Sequence, residues 1–190
     1  MSPDTESSSR PGRTLGCVVL PLALVVGGFF AVLLIVFLDS GSDTGMMVLE
    51  QREAYGRGTV EYIGERNFYL VRLGDGSFLA LSDLDAANRA STQRRCRAAP
   101  IPTSDPALPG LLDRYRARLS PAATQSTLLF REDCNGAIYD LTGARLDQDG
   151  PNLDRYPVSI RKDGKVGVDL ARRQCTRRTA EAASAEVACS

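Results

Sequence analysis

Histidine is missing from the 190-residue chain, and so is tryptophan. Histidine is the usual general base at neutral pH and the commonest protein ligand of zinc, haem and copper. Its absence excludes Ser-His and Cys-His nucleophile pairs, together with any histidine-ligated metal centre. A charge surplus is missing as well, because 23 Lys and Arg balance 23 Asp and Glu. The composition therefore indicates neither a nucleic-acid partner nor a catalytic residue set of a familiar kind.

Aromatic residues make up only 6% of the chain, whereas Gly and Pro number 17 and 10. Such a composition favours many turns and disfavours a long helical bundle. A mass of 20.5 kDa suits one ordinary domain with an anchor. We therefore expect one turn-rich β domain.

One long apolar segment begins at Leu15 and ends at Leu38 without a charged side chain. A helix of this length crosses a hydrocarbon core of about 30 Å. A cleavable signal peptide is the alternative, but its apolar core is usually about 7 to 15 residues and is followed by a small-residue cleavage site. Residues 39–45 contain no Ala-x-Ala sequence. We expect an uncleaved transmembrane helix over residues 15–38, in contact with the lipid bilayer.

The charges on the two sides of this segment differ in sign. Arg10 and Arg13 precede it, and Asp39 and Asp43 follow it. Because cationic flanks stay in the cytoplasm, residues 1–14 are expected to be cytoplasmic, and the C-terminal domain periplasmic or extracellular. The protein is thus expected to cross the cell membrane once. The predicted organisation continues with a flexible linker at 39–45, a folded domain at 46–170 and a basic, Ala-rich tail at 171–190.

Apolar residues of period two predict several strands in the folded domain. They are Tyr69, Val71 and Leu73; Phe78 and Ala80, or Leu79 and Leu81; Val158 and Ile160; and Val166, Val168 and Leu170. Asp-Gly sequences within 74–76 and 162–165 predict tight antiparallel hairpins. Apolar residues at helical spacing over 108–119 predict one short helix, opened by Pro109 and closed before Pro121. The tail is expected to be a solvated appendage whose Ala/Glu stretch can form a short helix.

Four cysteines follow the apolar segment: Cys96, Cys134, Cys175 and Cys189. A domain outside the cytoplasm lies where disulfides persist, and four cysteines permit three pairings. Closing the loop from Cys96 to Cys134 would be worth about 4 kcal/mol in the chain-entropy model. Spacing alone leaves the choice of pairing open.

Two stretches around these cysteines resemble the cluster-binding boxes of Rieske iron–sulfur proteins. They read STQRRC at 91–96 and FREDCNGAIYDLTG at 130–143. The family pattern is Cys-x-His-x-Gly-Cys in the first box and Cys-x-Cys-His-Gly in the second, followed by an aromatic-Asp pair and a glycine. Cys96 and Cys134 match the family's disulfide positions, and Gly136 matches the glycine of the second box.

The resemblance covers roughly residues 58–170. Upstream, FYLVRLGDGSFLALSD at 68–83 is similar to the family's opening strands. Downstream, GPNL at 150–153 is similar to its Gly-Pro loop, although Asn152 stands where a small residue is usual. The resemblance implies a mostly β, Rieske-like antiparallel sandwich with a small cluster-binding-type subdomain. It also implies a Cys96–Cys134 disulfide, which leaves Cys175 and Cys189 as a second candidate pair.

All four cluster ligands of the family are replaced in this sequence. Ser91 and Glu132 stand at the two ligand cysteines, and Gln93 and Asn135 at the two ligand histidines. A Rieske centre needs two thiolates on one iron and two imidazoles on the other. We therefore expect no [2Fe-2S] cofactor and a degenerate iron–sulfur site. A Ca²⁺ or Mg²⁺ site is the alternative, but the carboxylates present are two neighbours in sequence, too few for a hard cation.

Three arginines flank the first box: Arg94, Arg95 and Arg97. One interpretation is a solvated cationic surface, since exposed arginine is common. The other is a docking surface for a carboxylate-rich partner. We retain the second as the candidate partner-docking site.

These residues together predict a membrane-anchored Rieske-like accessory subunit without a cluster. Its expected role is structural or one of interaction, within a respiratory or photosynthetic electron-transfer membrane complex whose other subunits are its partners. It is not expected to catalyse a reaction. The complex is implied by the family resemblance. The alternatives are an active electron carrier of a quinol-oxidising cytochrome b complex, and a small-ligand or cation binding module.

Overall fold

The computed structural model describes Gly28 and residues 45–90 and 96–189. All elements named below belong to the second of the two units into which the chain divides, Thr44–Ser190. The predicted membrane span at 15–38 lies outside the described residues, apart from Gly28. Within the described part of the chain, no helix is long and apolar enough to cross a membrane.

Antiparallel strands dominate the described domain. They are β1 (Met46–Gln51), β2 (Thr59–Ile63), β3 (Phe68–Arg72), β4 (Phe78–Asp85), β5 (Ala98–Pro100), β6 (Leu129–Glu132), β7 (Ile138–Asp140), β8 (Gly150–Pro151), β9 (Leu153–Tyr156), β10 (Val158–Ile160), β11 (Lys165–Asp169), β12 (Cys175–Arg178) and β13 (Ala185–Val187). Two α-helices accompany them, α1 (Ala86–Ala90) and α2 (Leu108–Tyr115), with single 3₁₀ turns at Arg52–Ala54, Arg116–Arg118 and Pro121–Ala123. The expectation of a mostly β, antiparallel fold is confirmed.

The strands form four sheets, which we name by position. The central sheet has the order β2-β3-β4-β9, the outer sheet β1-β11-β10, the small sheet β5-β6-β7 and the C-terminal sheet β13-β12-β8. The predicted hairpins at 74–76 and 162–165 are confirmed, because β3 pairs with β4 and β10 pairs with β11, both antiparallel. Gly76 and Gly164 have φ of 90° and 79°, in the region that glycine enters without a Cβ clash.

Strand β3 is buried on both faces because the central sheet lies between two other layers. Phe68 and Leu70 pack with Val166 and Val168 of the outer sheet. Alternate residues of the same strand, Tyr69 among them, pack with residues of the small sheet. This explains why FYLVR reads as a continuous apolar run, since successive side chains of a strand point to opposite faces.

Helix α2 covers the outer face of the small sheet, as its apolar spacing predicted. Leu108 joins Leu129 and Ile138 in one buried cluster, against which Leu111 and Tyr115 pack. Pro109 lies in the first turn of the helix, where its missing N–H costs no intrahelical hydrogen bond. The 3₁₀ turn Arg116–Arg118 ends the segment before Ser120.

The prediction of a helix in the C-terminal tail is wrong, and so is the prediction that the tail is a solvated appendage. Strands β12 and β13 form an antiparallel hairpin there, and β12 also pairs with β8. A disulfide between Cys175 and Cys189 closes this hairpin and confirms the second candidate pair. The strand pairing and the disulfide hold this short segment in an extended conformation. These tertiary contacts override the helix propensity of its Ala/Glu stretch.

Candidate functional site

The disulfide between Cys96 and Cys134 marks the candidate site, and it confirms the pairing that the family resemblance implied. Its position follows from strand register. Ala98 of β5 lies opposite Glu132 of β6 in an antiparallel pair, so continuing the same register by two residues places Cys96 opposite Cys134. The Cα atoms of the two cysteines are 5.4 Å apart, an ordinary separation for a disulfide.

The turn between β6 and β7 forms the other half of the site. The Glu132 N–H donates to the Ala137 carbonyl at 2.9 Å, and the Gly136 N–H donates to the Glu132 carbonyl at 3.1 Å. Gly136 has φ of 70°, a conformation that favours glycine. We call this turn, residues 132–137, together with the disulfide, the tip of the small sheet.

Glu132 fills the centre of the tip with its own carboxylate. Its Oε1 accepts a hydrogen bond from the Cys134 N–H, and its Oε2 accepts one from the Asn135 N–H, both at 2.7 Å. The residue is only 2% exposed. Burial of a carboxylate is tolerated where charge-assisted hydrogen bonds replace its hydration. The side chain at the position of a family ligand cysteine therefore stabilises its own turn.

The described residues of the tip do not fit a Rieske cluster. Glu132 stands at a ligand-cysteine position and is engaged by two backbone amides, and Asn135 carries an amide side chain where the family has imidazole. Ser91 and Gln93, at the other two ligand positions, lie outside the described residues.

Arg97 is held in a polar network beside the tip. Its Nε lies 3.3 Å from the Asp83 carboxylate, which is almost fully buried. Its other nitrogens donate to the Tyr62 hydroxyl at 3.3 Å and to Asn67 Oδ1 at 3.2 Å. The side chain is still 43% exposed. Arg97 thus ties the small sheet to the central sheet, whereas Arg94 and Arg95 lie in the undescribed residues 91–95.

Two tyrosines beside this network have raised pKa values, mainly because they are buried. Burial raises the pKa of Tyr69 to about 12, and the charge of Asp83 adds to the effect. The pKa of Tyr62 is raised for the same two reasons. The ring centroid of Tyr69 lies 4.9 Å from that of Tyr62 and 5.1 Å from that of Phe130. Aromatic packing and the Arg97 network therefore join the small sheet to the central sheet at one place.

Sequence reasoning missed Asp83, Tyr62 and Asn67 as members of this network. Asn67 has φ of 56°, and a local signal for that conformation existed, because Asn in a turn between two strands tolerates the left-handed region. No local signal marks Asp83, since its partner Arg97 comes from another sheet.

Asn152 departs from the family pattern for a reason visible in the fold. Its Oδ1 accepts the Arg145 N–H at 2.9 Å, and its Nδ2 donates to Thr176 Oγ1 at 3.0 Å and the Ala183 carbonyl at 3.2 Å. The residue is fully buried. Its amide joins the segment after β8 to the C-terminal hairpin, a role that a small apolar residue cannot fill.

A surface groove of about 520 Å³ lies at the opposite end of β3 from the tip. Leu73, Leu128 and Leu141 supply apolar lining, and Arg57 and Gln125 supply polar lining. The Arg57 Nη1 donates to the Gly74 carbonyl at 3.4 Å. The predicted alternative of a small-ligand binding module concerns the tip, where the family binds its cluster. This groove is a different place, so it does not bear on that alternative.

Comparison with known proteins adds little to this geometry. No family model matches the chain, and no curated protein matches it significantly. Among solved structures, the chain is similar to a putative NADH-dependent nitrite reductase small subunit from Mycobacterium tuberculosis at 15% identity. That match covers 71% of this chain and 96% of the other, with a TM-score of 0.36.

Proposed function

We propose that this chain is a membrane-anchored Rieske-like subunit that has no iron–sulfur cluster and serves a structural or interaction role in an electron-transfer membrane complex. The absence of a cluster is supported by the position of Glu132. Its carboxylate accepts two hydrogen bonds of 2.7 Å from the turn that would otherwise present ligands to iron. A turn stabilised in this way has no need of a metal group to hold its shape.

The Rieske-like part is supported by the placement of the disulfide. Cys96 and Cys134, which match the family's disulfide positions in sequence, join the start of β5 to the β6–β7 turn. The small sheet that carries them packs on a larger antiparallel sheet. This arrangement suits a cluster-binding-type subdomain set on a β base.

An active electron carrier is the weaker candidate. Electron transfer by a Rieske centre requires thiolate and imidazole ligands. The chain contains no histidine, and the carboxylate of Glu132, at a ligand-cysteine position, is held by two backbone amides. A carrier role would therefore require ligands from outside this chain.

The anchor, the orientation and the complex rest on sequence. The uncharged segment from Leu15 to Leu38 would hold the protein in the bilayer, with residues 46–189 on the outer side. The complex itself is inferred from the family resemblance. Arg94 and Arg95 are the proposed docking residues, while Arg97 contributes mainly by fixing the tip to the central sheet through Asp83.

Extraction of the full chain in mild detergent tests this role. We expect migration with a multisubunit complex on a native gel, with the complex identified by mass spectrometry. Reversing Arg94 and Arg95 to Glu should release the chain, because like charges across an interface are penalised. The matched control reverses Arg114 of α2 and Arg116 of the 3₁₀ turn that follows it, both of which are exposed. A free monomer with its N-terminus removed near residue 40 would contradict both the anchor and the subunit role.

A further inference from the structure

Three side chains of the tip have the chemistry of a transition-metal site once the disulfide is open. Cys96, Glu132 and Cys134 each offer one ligand atom, and these atoms lie within 4.8 Å of one another. Two ligands come from the β6–β7 turn and one from the chain just before β5. In the oxidised protein the two sulfurs are bonded to each other, so the set is closed to a metal.

Backbone hydrogen bonds fix the position of the Glu132 carboxylate. Backbone N–H groups of Cys134 and Asn135 each hold one carboxylate oxygen at 2.7 Å, and a carboxylate oxygen has a second lone pair for another partner. Such supporting hydrogen bonds orient metal ligands and are a large part of metal affinity. Glu132 is 2% exposed and Cys96 4% exposed, so most of the set is shielded from water.

We propose that reduction of the Cys96–Cys134 disulfide creates a Zn²⁺ site made of the two thiolates and the Glu132 carboxylate, with solvent as the fourth ligand. Zinc takes Cys sulfur and Glu oxygen in a tetrahedral arrangement. Calcium and magnesium prefer oxygen ligands alone, which two thiolates do not provide. This inference concerns the dithiol form of the protein and does not depend on the proposed function.

The chemistry balances with a dithiol as the reductant. The dithiol gives two electrons and two protons to the protein, whose S–S bond breaks to form two thiols. The reductant itself closes to a cyclic disulfide. Zinc binding then releases the two thiol protons, because the metal binds thiolates. Zinc would replace the covalent link between the two loops, so the tip keeps a cross-link in both redox states.

The test uses the full chain in detergent, reduced with a dithiol that is then removed without air. Zn²⁺ is titrated against a chromophoric chelator, and Co²⁺ is titrated separately to observe thiolate-to-metal charge-transfer absorption. The dithiol also opens the Cys175–Cys189 disulfide, so the zinc bound by the reduced C96S/C134S variant, which keeps Cys175 and Cys189, is the reference. We expect the reduced wild type to bind one equivalent more than this variant, and the oxidised protein to bind none at this site. Equal zinc stoichiometry in the two reduced proteins would overturn the proposal.

Two further variants separate the role of Glu132 from general charge. E132Q should weaken zinc binding at least about tenfold, as expected for loss of a ligand or its support. D133N removes the neighbouring exposed carboxylate and should leave affinity unchanged. Equal loss in both variants would refute the assignment of Glu132.

The melting temperature of the reduced wild type, measured with and without zinc, tests the site without relying on the folding of a variant. Zinc should raise the melting temperature of the reduced wild type, because a ligand that binds the folded state stabilises it. Zinc should leave the melting temperature of C96S/C134S unchanged. A reduced wild type that is not stabilised by zinc would contradict the proposal.

Discussion

The two disulfides close loops of different length, and this difference predicts how much each one stabilises the fold. Cys96 and Cys134 are separated by 38 residues, and Cys175 and Cys189 by 14. In the chain-entropy model the longer loop is worth about 4 kcal/mol and the shorter loop about 3 kcal/mol at 25 °C. The perturbation is replacement of each pair by serine, in C96S/C134S and C175S/C189S.

Burial affects the two variants alike, so the difference between them rests on loop length. Cys96 and Cys175 are each 4% exposed. Each variant therefore places one serine hydroxyl in a buried position, and an unpaired buried polar group costs about 1–3 kcal/mol. We expect C96S/C134S to be the less stable variant by about 1 kcal/mol, the difference between the two loops.

Urea unfolding followed by circular dichroism measures this difference. The free energy of unfolding is extrapolated to water for the wild type and both variants under identical detergent conditions. A loss below about 1 kcal/mol in C96S/C134S would refute the reasoning, because the entropy of the longer loop could not then be a main contribution. A larger loss in C175S/C189S would refute it as well.

Three further predictions concern the domain around the tip. G143A should lower the free energy of unfolding by about 1–3 kcal/mol, because Gly143 has φ of 80° and an added Cβ would lie 3.2 Å from two leucine side chains. Its control is G74A, where the added atom meets open space, and this variant should change the free energy of unfolding by less than about 0.5 kcal/mol. R97A should destabilise the fold and R97K less so, because the guanidinium that faces the nearly buried Asp83 carboxylate is lost; equal stability in urea unfolding would contradict this. The pKa of Tyr69 is raised to about 12, so its contribution to stability is complete below pH 10 and is lost as the pH rises towards 12. Burial raises the pKa of Tyr139 as well, so Tyr69 is identified by difference: the tyrosinate absorbance of folded Y69F should lack one late-titrating group that the wild type shows and that titrates normally in urea.

Local patterns were enough for the central hairpin and for helix α2. The sequence of β3 and β4 combines alternating apolar residues with an Asp-Gly turn, and both signals indicate the same structure. Helix α2 combines apolar spacing with Pro109 at its start and a proline just beyond its end. Agreement between local signals and tertiary packing is the reason that these elements could be predicted.

Contacts between distant residues could not be predicted in the same way. Arg97 and Asn67 are 30 residues apart in sequence, and their hydrogen bond exists only because two sheets meet there. The C-terminal hairpin has residues with helix propensity, and its strand pairing with β8 decides against the helix. At the tip, the family resemblance predicted that Glu132 stands at a ligand-cysteine position, but not that its carboxylate holds the turn through two amides.

Electron paramagnetic resonance of the reduced full chain is the most direct test of whether this domain holds an iron–sulfur cluster. The protein is purified without air, its iron and acid-labile sulfide are measured, and it is then reduced with dithionite. We expect a colourless protein without stoichiometric iron or sulfide, and no Rieske-type signal. A Rieske-type signal that accounts for one cluster per chain would contradict it.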